Sequence, residues 1–294
     1  MDPIRVVVRR GGVVEAEHLV HAAAVREGRL LASAGNERLV TLLRSSAKPF
    51  QALPLARAYD DLDDRELAIA SASHLADRAQ LEAVRMLLSR AHATESDLEC
   101  GAEGDPPSKL KHNCSGKHAG MLAVCRAHGW RTEGYRLPGH RMQRTNLEDV
   151  ARAAAVDEDE IRTAVDGCGV VTFALPLERM AAMFGGLESS REGKRIADAM
   201  RAHPELIRGP GAPDTVLMQS IPGSVAKGGA EGLVCGLLPD ATGFALKSAD
   251  GNPRPLRAAL ARFLGTLGFE VPEFASTQVR NSRGDVVGEV VADA

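Results

Sequence analysis

The sequence predicts an α+β fold, an antiparallel sheet formed by both chain ends with a largely helical second lobe. Three observations carry this. The first forty residues are rich in β-branched side chains broken by glycine turns. From Phe50 to about Arg208 the apolar period becomes helical. Beyond about residue 225 alternation returns and runs to a β-branched tail. Strands at both ends around helices give a single domain over 1–294, with a sheet lobe at 1–44 and 225–294 and a helical lobe at 45–224. A cleft between such lobes is the default place for a site.

The elements follow in order. Residues 4–8 and 13–20 read as a hairpin about Gly11-Gly12, with further strands at 21–33 and 38–43 on either side of the turn at Gly35-Asn36. A helix starts near Ser45, because Pro49 is tolerated only in a first turn, and Pro54 must kink or end its first part. Asp63-Asp64 places acids where a helix N-terminus favours them. Positions 81, 84, 87 and 88 mark one face of a helix over 77–92. Residues 103–111 are a loop, and helices are expected from Ala119 to His128 and over 141–154, 157–165, 176–184 and 190–202. A short helix at 214–218 precedes strands at 232–238 and 243–248, which form a hairpin about Pro239-Asp240. An amphipathic helix over 255–267 and a strand over 285–291 complete the chain.

Composition sets limits. Apolar residues make up 44% of 294 residues but aromatic ones only 3%, so the core is built from Leu, Val and Ala. A net charge of −3 gives no electrostatic case for nucleic acid or an anionic membrane surface; a small substrate suits it. No apolar run is long enough to span a membrane. The first residues do not read as a secretory signal, and five cysteines, an odd number, fit a reducing cytoplasm.

Chemistry concentrates in a few stretches. In Arg44-Ser45-Ser46-Ala47-Lys48-Pro49 a serine precedes a lysine by three residues, one helical turn, so a neutral Lys48 amine can take the Ser45 proton. N–H groups at the helix start can hold an oxyanion. An N-cap serine and a surface lysine would give the same letters. Lys227-Gly228-Gly229, ahead of a strand, lets backbone approach a ligand, or is a plain loop. Ser71-Ala72-Ser73-His74 ends an apolar helix, and Ser73 could pair with a second lysine. Cys114-x-x-Lys117 and Cys168 lie in glycine-containing loops. Spacing leaves them open as zinc ligands with His112 or His118, as buried structural cysteines, or as a labile disulfide. Asp166 is a loop cap or orients a ligand amine. Cys100, Cys125 and Cys235 read as core.

Taken together these stretches resemble a known family. Arg44-Ser-Ser-Ala-Lys-Pro-Phe-Gln-Ala-Leu-Pro-Leu55, Ala72-Ser-His74, His112-Asn-Cys-Ser-Gly-Lys-His-Ala-Gly-Met121, Asp166-Gly-Cys-Gly169 and Ala226-Lys-Gly-Gly-Ala-Glu-Gly232 are similar, in family order, to the L-asparaginases of the Rhizobium etli type, the thermolabile third class. The resemblance implies a serine β-lactamase-like fold, shared with glutaminases, in a single catalytic domain. It implies two Ser-Lys pairs, Ser45 with Lys48 and Ser73 with Lys227, with Ser45 the nucleophile. It also implies one zinc ion (Zn2+) per chain on Cys114, Lys117 and Cys168, and substrate contacts from Arg44, His74, Asp166 and Gly228. The substrate would be L-asparagine, hydrolysed to L-aspartate and ammonia in a cytoplasmic homodimer. One departure stands out: where the family commonly reads Ser-His-Ser-Gly-Glu, this chain has Ser73-His74-Leu75-Ala76-Asp77. The rival readings are a penicillin-recognising serine hydrolase, a glutaminase, and a non-catalytic zinc or amino-acid-binding module.

Overall fold

Strand β2 (Val13–Arg26) runs the full height of the main sheet and joins its two halves. The computed structural model describes residues 1–293. The first half of β2 pairs with β1 (Ile4–Arg10), from Val13 opposite Arg10 to Val20 opposite Ile4. Its second half pairs with β9 (Gly243–Ser248) on one side and β3 (Arg29–Ala34) on the other. The stretch expected as one strand over 21–33 is therefore two, divided at Glu27-Gly28, both with positive φ. Beyond β9 lie β8 (Leu233–Leu237) and β7 (Val225–Gly229); beyond β1 lie β11 (Val286–Ala292) and β10 (Ser276–Arg280). Every pairing is antiparallel. The two chain ends meet in the middle, with Val6 opposite Ala292. The α+β class and the antiparallel sheet built from both ends are as the sequence reads.

Burial shows how the sheet is covered. Residues of β8 and β9 are buried along their whole length, which needs cover on both faces. The helix Leu177–Gly185 packs on β2, β8 and β9, and the helix Leu256–Gly265 packs on β1, β2, β9 and β11. Phe50 meets Phe184 edge-on at 5.2 Å, tying the first helical segment of the helical layer to the helix on the sheet.

Two sequence expectations about small elements need correction. The strand near residue 40 does not join the main sheet. β4 (Val40–Leu42) pairs with β6 (Val171–Pro176), which also pairs with β5 (Arg162–Val165) in a second, three-stranded sheet. The helix expected over 157–165 is one 3-10 turn at Glu158–Glu160 followed by β5. The acidic run looks like a helix start, but Thr163 and Val165 favour extended backbone.

The helix Ser115–Ala127 crosses the helix Asp64–Ala70 at very short range. A Cβ on Gly116 would lie 2.2 Å from the Ile69 carbonyl oxygen, and one on Gly120 would meet Leu55 and Ala70. The crossing fixes the relative position of Ser73, just beyond the second helix, and of Cys114 and Lys117 at the start of the first. Gly116→Ala must push the two helices apart. Urea unfolding should show a loss of about 2 kcal/mol, the cost of overpacking against backbone.

Candidate active site

The site is built where the small sheet hands the chain to the helical layer. Leu43 N–H donates to Phe173 O, and Arg44 N–H donates to Thr172 Oγ1 at 3.0 Å. Arg44 has φ +49°, a left-handed conformation rare for a side chain of this size. The chain then makes one 3-10 turn, Arg44–Ala47, before the α-helical Lys48–Gln51, which has Pro49 in its first turn. A break at Ala52 separates it from Leu53–Ala58, as Pro54 requires. Arg44 and Ser46 N–H groups are committed to Thr172 and Leu43; the Ser45 N–H has no acceptor among the described residues.

Lys48 is fully buried, and it does not bond Ser45. Its Nζ donates to the carbonyl oxygens of Ala72 and, at 3.4 Å, Asn113, and lies 2.9 Å from Ser73 Oγ. Lys227 Nζ lies 2.9 Å from the same hydroxyl and donates to Gly228 O. The Ser73 oxygen therefore bridges two lysines, and the residue is 5% exposed. Ser45 is half-buried, and its hydroxyl makes no side-chain hydrogen bond among the described residues. The expected Ser73–Lys227 contact is present; the expected Ser45–Lys48 contact is replaced by Ser73–Lys48. Lys48 lies one turn after Ser45, but the carbonyls of Ala72 and Asn113 draw its amine to the side where Ser73 sits.

Burial pushes the pKa of both lysines down. For Lys48, Cys114 works against that shift and Lys117 with it. Lys227 falls to about 7 through burial, although Asp214 pulls it back up. A buried amine near neutrality beside a hydroxyl is the pattern of a proton acceptor for a serine.

Asp214 and Ser46 were missed from sequence. Asp214 is buried in the first turn of the helix Pro213–Ser220, 3.6 Å from Lys227 Nζ, and accepts the Gly228 N–H at 2.9 Å. Ser46 Oγ donates to Lys227 O at 2.8 Å. Nothing in local spacing singles out an aspartate after a Gly-Pro-Gly loop; only the return of β7 brings it to the lysine.

His74 is a strut. Its Nδ1 accepts the Ala76 N–H, so Nε2 carries the proton and donates to Ser115 Oγ at 2.8 Å, which in turn donates to Leu110 O. Both ring nitrogens are occupied, so the substrate contact expected of His74 has no free nitrogen to make it. Burial, with Lys48 nearby, pushes its pKa down to about 4. Arg44 is likewise committed. Its Nε donates to Asp166 Oδ1 at 2.6 Å, and Asp166 also accepts the Gly167 N–H. Burial works to raise the Asp166 pKa, but Lys117, Arg44 and that N–H hold it below the ordinary carboxylate range. Gly228 offers backbone only, and a Cβ there would lie 2.9 Å from Asp214 Oδ1.

Cys114, Lys117 and Cys168 converge in one buried cluster. Lys117 Nζ is 3.1 Å from Cys168 Sγ and 4.0 Å from Asp166 Oδ2. The Cys114 thiol donates to Asn113 Oδ1 at 3.0 Å and the Cys168 thiol to Asp166 Oδ2 at 3.9 Å; the neighbouring Cys168 lowers the Cys114 pKa, and Cys114 raises that of Cys168. The donor set of two thiols and an amine fits a soft, four-coordinate ion such as zinc, provided Lys117 binds as the neutral amine. His112 and His118 are elsewhere engaged, with Cys114 N–H and Tyr135 Oη. Among the described residues no three His, Cys, Asp or Glu side chains gather as a metal site. All five cysteines are free thiols.

The substituted stretch after Ser73 has its own local order. Ala76 sits at φ +61°, where the related pattern has glycine. Asp77 caps the helix Arg78–Arg90 in a reciprocal capping box with Gln80. Leu75 is exposed and faces Gly209.

An antiparallel sheet closed by both termini, with a lysine-flanked serine where it meets the helices, defines an α+β protein of the serine β-lactamase-like class. One solved structure is similar in fold. Mglu in its glutamate form superposes with a TM-score of 0.50 at 15% identity, covering 86% of this chain and 62% of that one. A β-lactamase from Mycobacterium bovis aligns at 0.39 and 13%, covering 83% and 94%. A probable glutaminase from Bacillus subtilis complexed with 6-diazo-5-oxo-L-norleucine aligns at 0.39 and 12%, covering 86% and 85%. The chain spans less than two thirds of the length of Mglu, 62% in that alignment. No curated protein sequence matches it. The pattern of L-asparaginase II matches residues 6–292, and the chain belongs to the L-asparaginase II family.

The His74 environment has a pH consequence. With a folded pKa near 4 against 6.5 unfolded, the unfolded chain binds the proton first on acidification. Stability is full above the unfolded value and falls as pH drops toward 4. Urea unfolding at pH 7 and pH 5 should differ by about 2 kcal/mol from this group, and His74→Gln should flatten that slope.

Proposed function

We propose that this chain is an amidohydrolase of the Rhizobium etli type that converts L-asparagine to L-aspartate and ammonia through a serine acyl-enzyme. The observation that supports this most is the Ser73 hydroxyl shared by two buried lysines, Lys227, which is near neutrality, and Lys48, which lies one turn after the half-buried Ser45. Ser45 Oγ attacks the side-chain amide carbon. Its proton passes, by way of Ser73 and Lys48, to the lysine pair, in which Lys227 is near neutrality, and is returned to the departing nitrogen, which leaves as ammonia. The Ser45 N–H, without an acceptor of its own, faces the developing oxyanion. Water, deprotonated by the same pair, then cleaves the ester to aspartate and restores the serine.

Cys114, Lys117 and Cys168 would hold the zinc, which would supply a Lewis acid there, its charge offset by the two thiolates, and tie the Asp166 loop to the helix Ser115–Ala127. Through Asp166, Arg44 would hold Ser45 in place, a positioning role in place of the direct substrate contact expected from sequence.

A second reading makes Ser73 the nucleophile, favoured by its bonds to both lysines. Ammonia release from asparagine and glutamine, measured with intact-mass trapping of the acyl-enzyme, separates the two. Ser45→Ala should abolish turnover and leave no trapped adduct, while Ser73→Ala should slow turnover yet still trap one. Activity within about tenfold of wild type in Ser45→Ala, less than ~1.4 kcal/mol in barrier, would remove Ser45 from the role. An adduct in Ser45→Ala but none in Ser73→Ala would give the role to Ser73. Glutamine turning over faster than asparagine would reassign the substrate.

Metal analysis addresses the zinc. The wild type should carry about one equivalent after dialysis and Cys168→Ser much less. Equal, near-zero content in both would dismiss it.

A further inference from the structure

The carboxylate of Asp214 lies behind the lysine pair, and no step of the proposed reaction uses it. It is 2% exposed and stands 3.6 Å from Lys227 Nζ. The same oxygen accepts the Gly228 N–H, and the Gly228 carbonyl in turn accepts from Lys227 Nζ. One carboxylate thus grips the strand through its backbone and the lysine through its charge. The strand is shaped for it: a Cβ at residue 228 would stand 2.9 Å from Asp214 Oδ1 and 3.4 Å from Oδ2.

We propose that Asp214 is a positioning residue that holds the Lys227 amine against Ser73 and sets the pH at which that amine gives up its proton. The inference rests on the proposed lysine-assisted reaction for its kinetic consequence, but its electrostatic content stands on the geometry alone. Several groups act on Lys227. Lys48, from the helix Lys48–Gln51, and Arg208, from the loop before Gly209, oppose its charge; Asp214 and Cys114 favour it. Cys235 lies opposite on β8, in register with Lys227. Among these, only Asp214 forms an ion pair with Lys227. With two amines 2.9 Å from one hydroxyl, a carboxylate lets the pair carry one proton without expelling a lysine from the core. Removing it leaves repulsion and burial opposed only by Cys114, so Lys227 should lose its proton at lower pH.

The test measures Lys227 directly. The 13Cε resonance of Lys227, assigned by its loss in Lys227→Arg, is titrated in wild type, Asp214→Asn and Asp214→Glu, with folding checked by thermal melting. Asparagine the same size as aspartate keeps an acceptor for Gly228 but no charge. The Lys227 midpoint in Asp214→Asn should fall by about one pH unit or more. The acid limb of kcat/KM against pH should follow it down, and Asp214→Glu should return both toward wild type. A midpoint unmoved in folded Asp214→Asn overturns the proposal, as does an acid limb that stays while the midpoint moves in an active enzyme. A shifted midpoint in a chain that releases no ammonia from either amide sinks the proposed reaction and leaves this inference standing. If Asp214→Asn does not fold, Gly228→Ala, whose Cβ displaces the carboxylate, should move the midpoint the same way, and an unmoved one overturns it.

Discussion

Two amines held against one buried hydroxyl set the terms for the rest of the molecule. An ammonium removed from water loses several kcal/mol of solvation, and a second beside it adds repulsion. The fold answers with polar groups fixed by backbone. Ala72 and Asn113 turn their carbonyls to Lys48, and Gly228 turns its own to Lys227. Asp214 supplies the one carboxylate paired with either lysine among the described residues. Each comes from a different part of the chain. The serine is correctly placed only when the helix crossing at Gly116, the turn at Arg44 and strand β7 are all formed.

A second polar chain runs alongside. Arg44 bonds Asp166, and Asp166 lies beside Lys117 and Cys168. This line links the thiol cluster to the residue just before Ser45, and it explains a left-handed arginine: the side chain reaches Asp166 while its N–H reaches Thr172. Backbone strain of this kind persists where surroundings over-determine it.

Much of the fold was legible in the sequence because its signals were local. The Gly11-Gly12 hairpin, the Pro239-Asp240 turn and the helices with strong apolar periods all stand as read, within a residue or two at most ends. What was not legible depended on partners far along the chain. β4 resembles a strand of the main sheet until β6, about 130 residues on, claims it. The site divided the same way. Lys48, Ser73 and Lys227 could be picked out by type and motif, but spacing suggested that Lys48 faces Ser45, and only tertiary carbonyls show that it faces Ser73. His74 looked available because sequence cannot count hydrogen-bond partners. Asp214 was invisible because its role is defined by a strand that arrives later. The altered stretch after Ser73 proved to have a local purpose in part: Asp77 caps a helix, and Ala76 accepts a backbone angle that glycine would take more readily.

The pairing of β1 with β11 also bears on how the molecule comes into being. Val6 cannot find Ala292 until nearly the whole chain exists. Closing so long a loop is entropically costly, and topologies rich in distant contacts fold slowly. During synthesis the first hairpin must wait with one edge bare while the helices form. A bare edge is open to unwanted partners, so the interval before the last strand arrives is when this protein is most exposed to aggregation. Because β1 and β11 are neighbours, a chain in which a short linker joins Ala292 to Ile4 and new ends are cut in a surface loop such as the one at Pro138-Gly139 would let both central strands emerge together and shorten that interval.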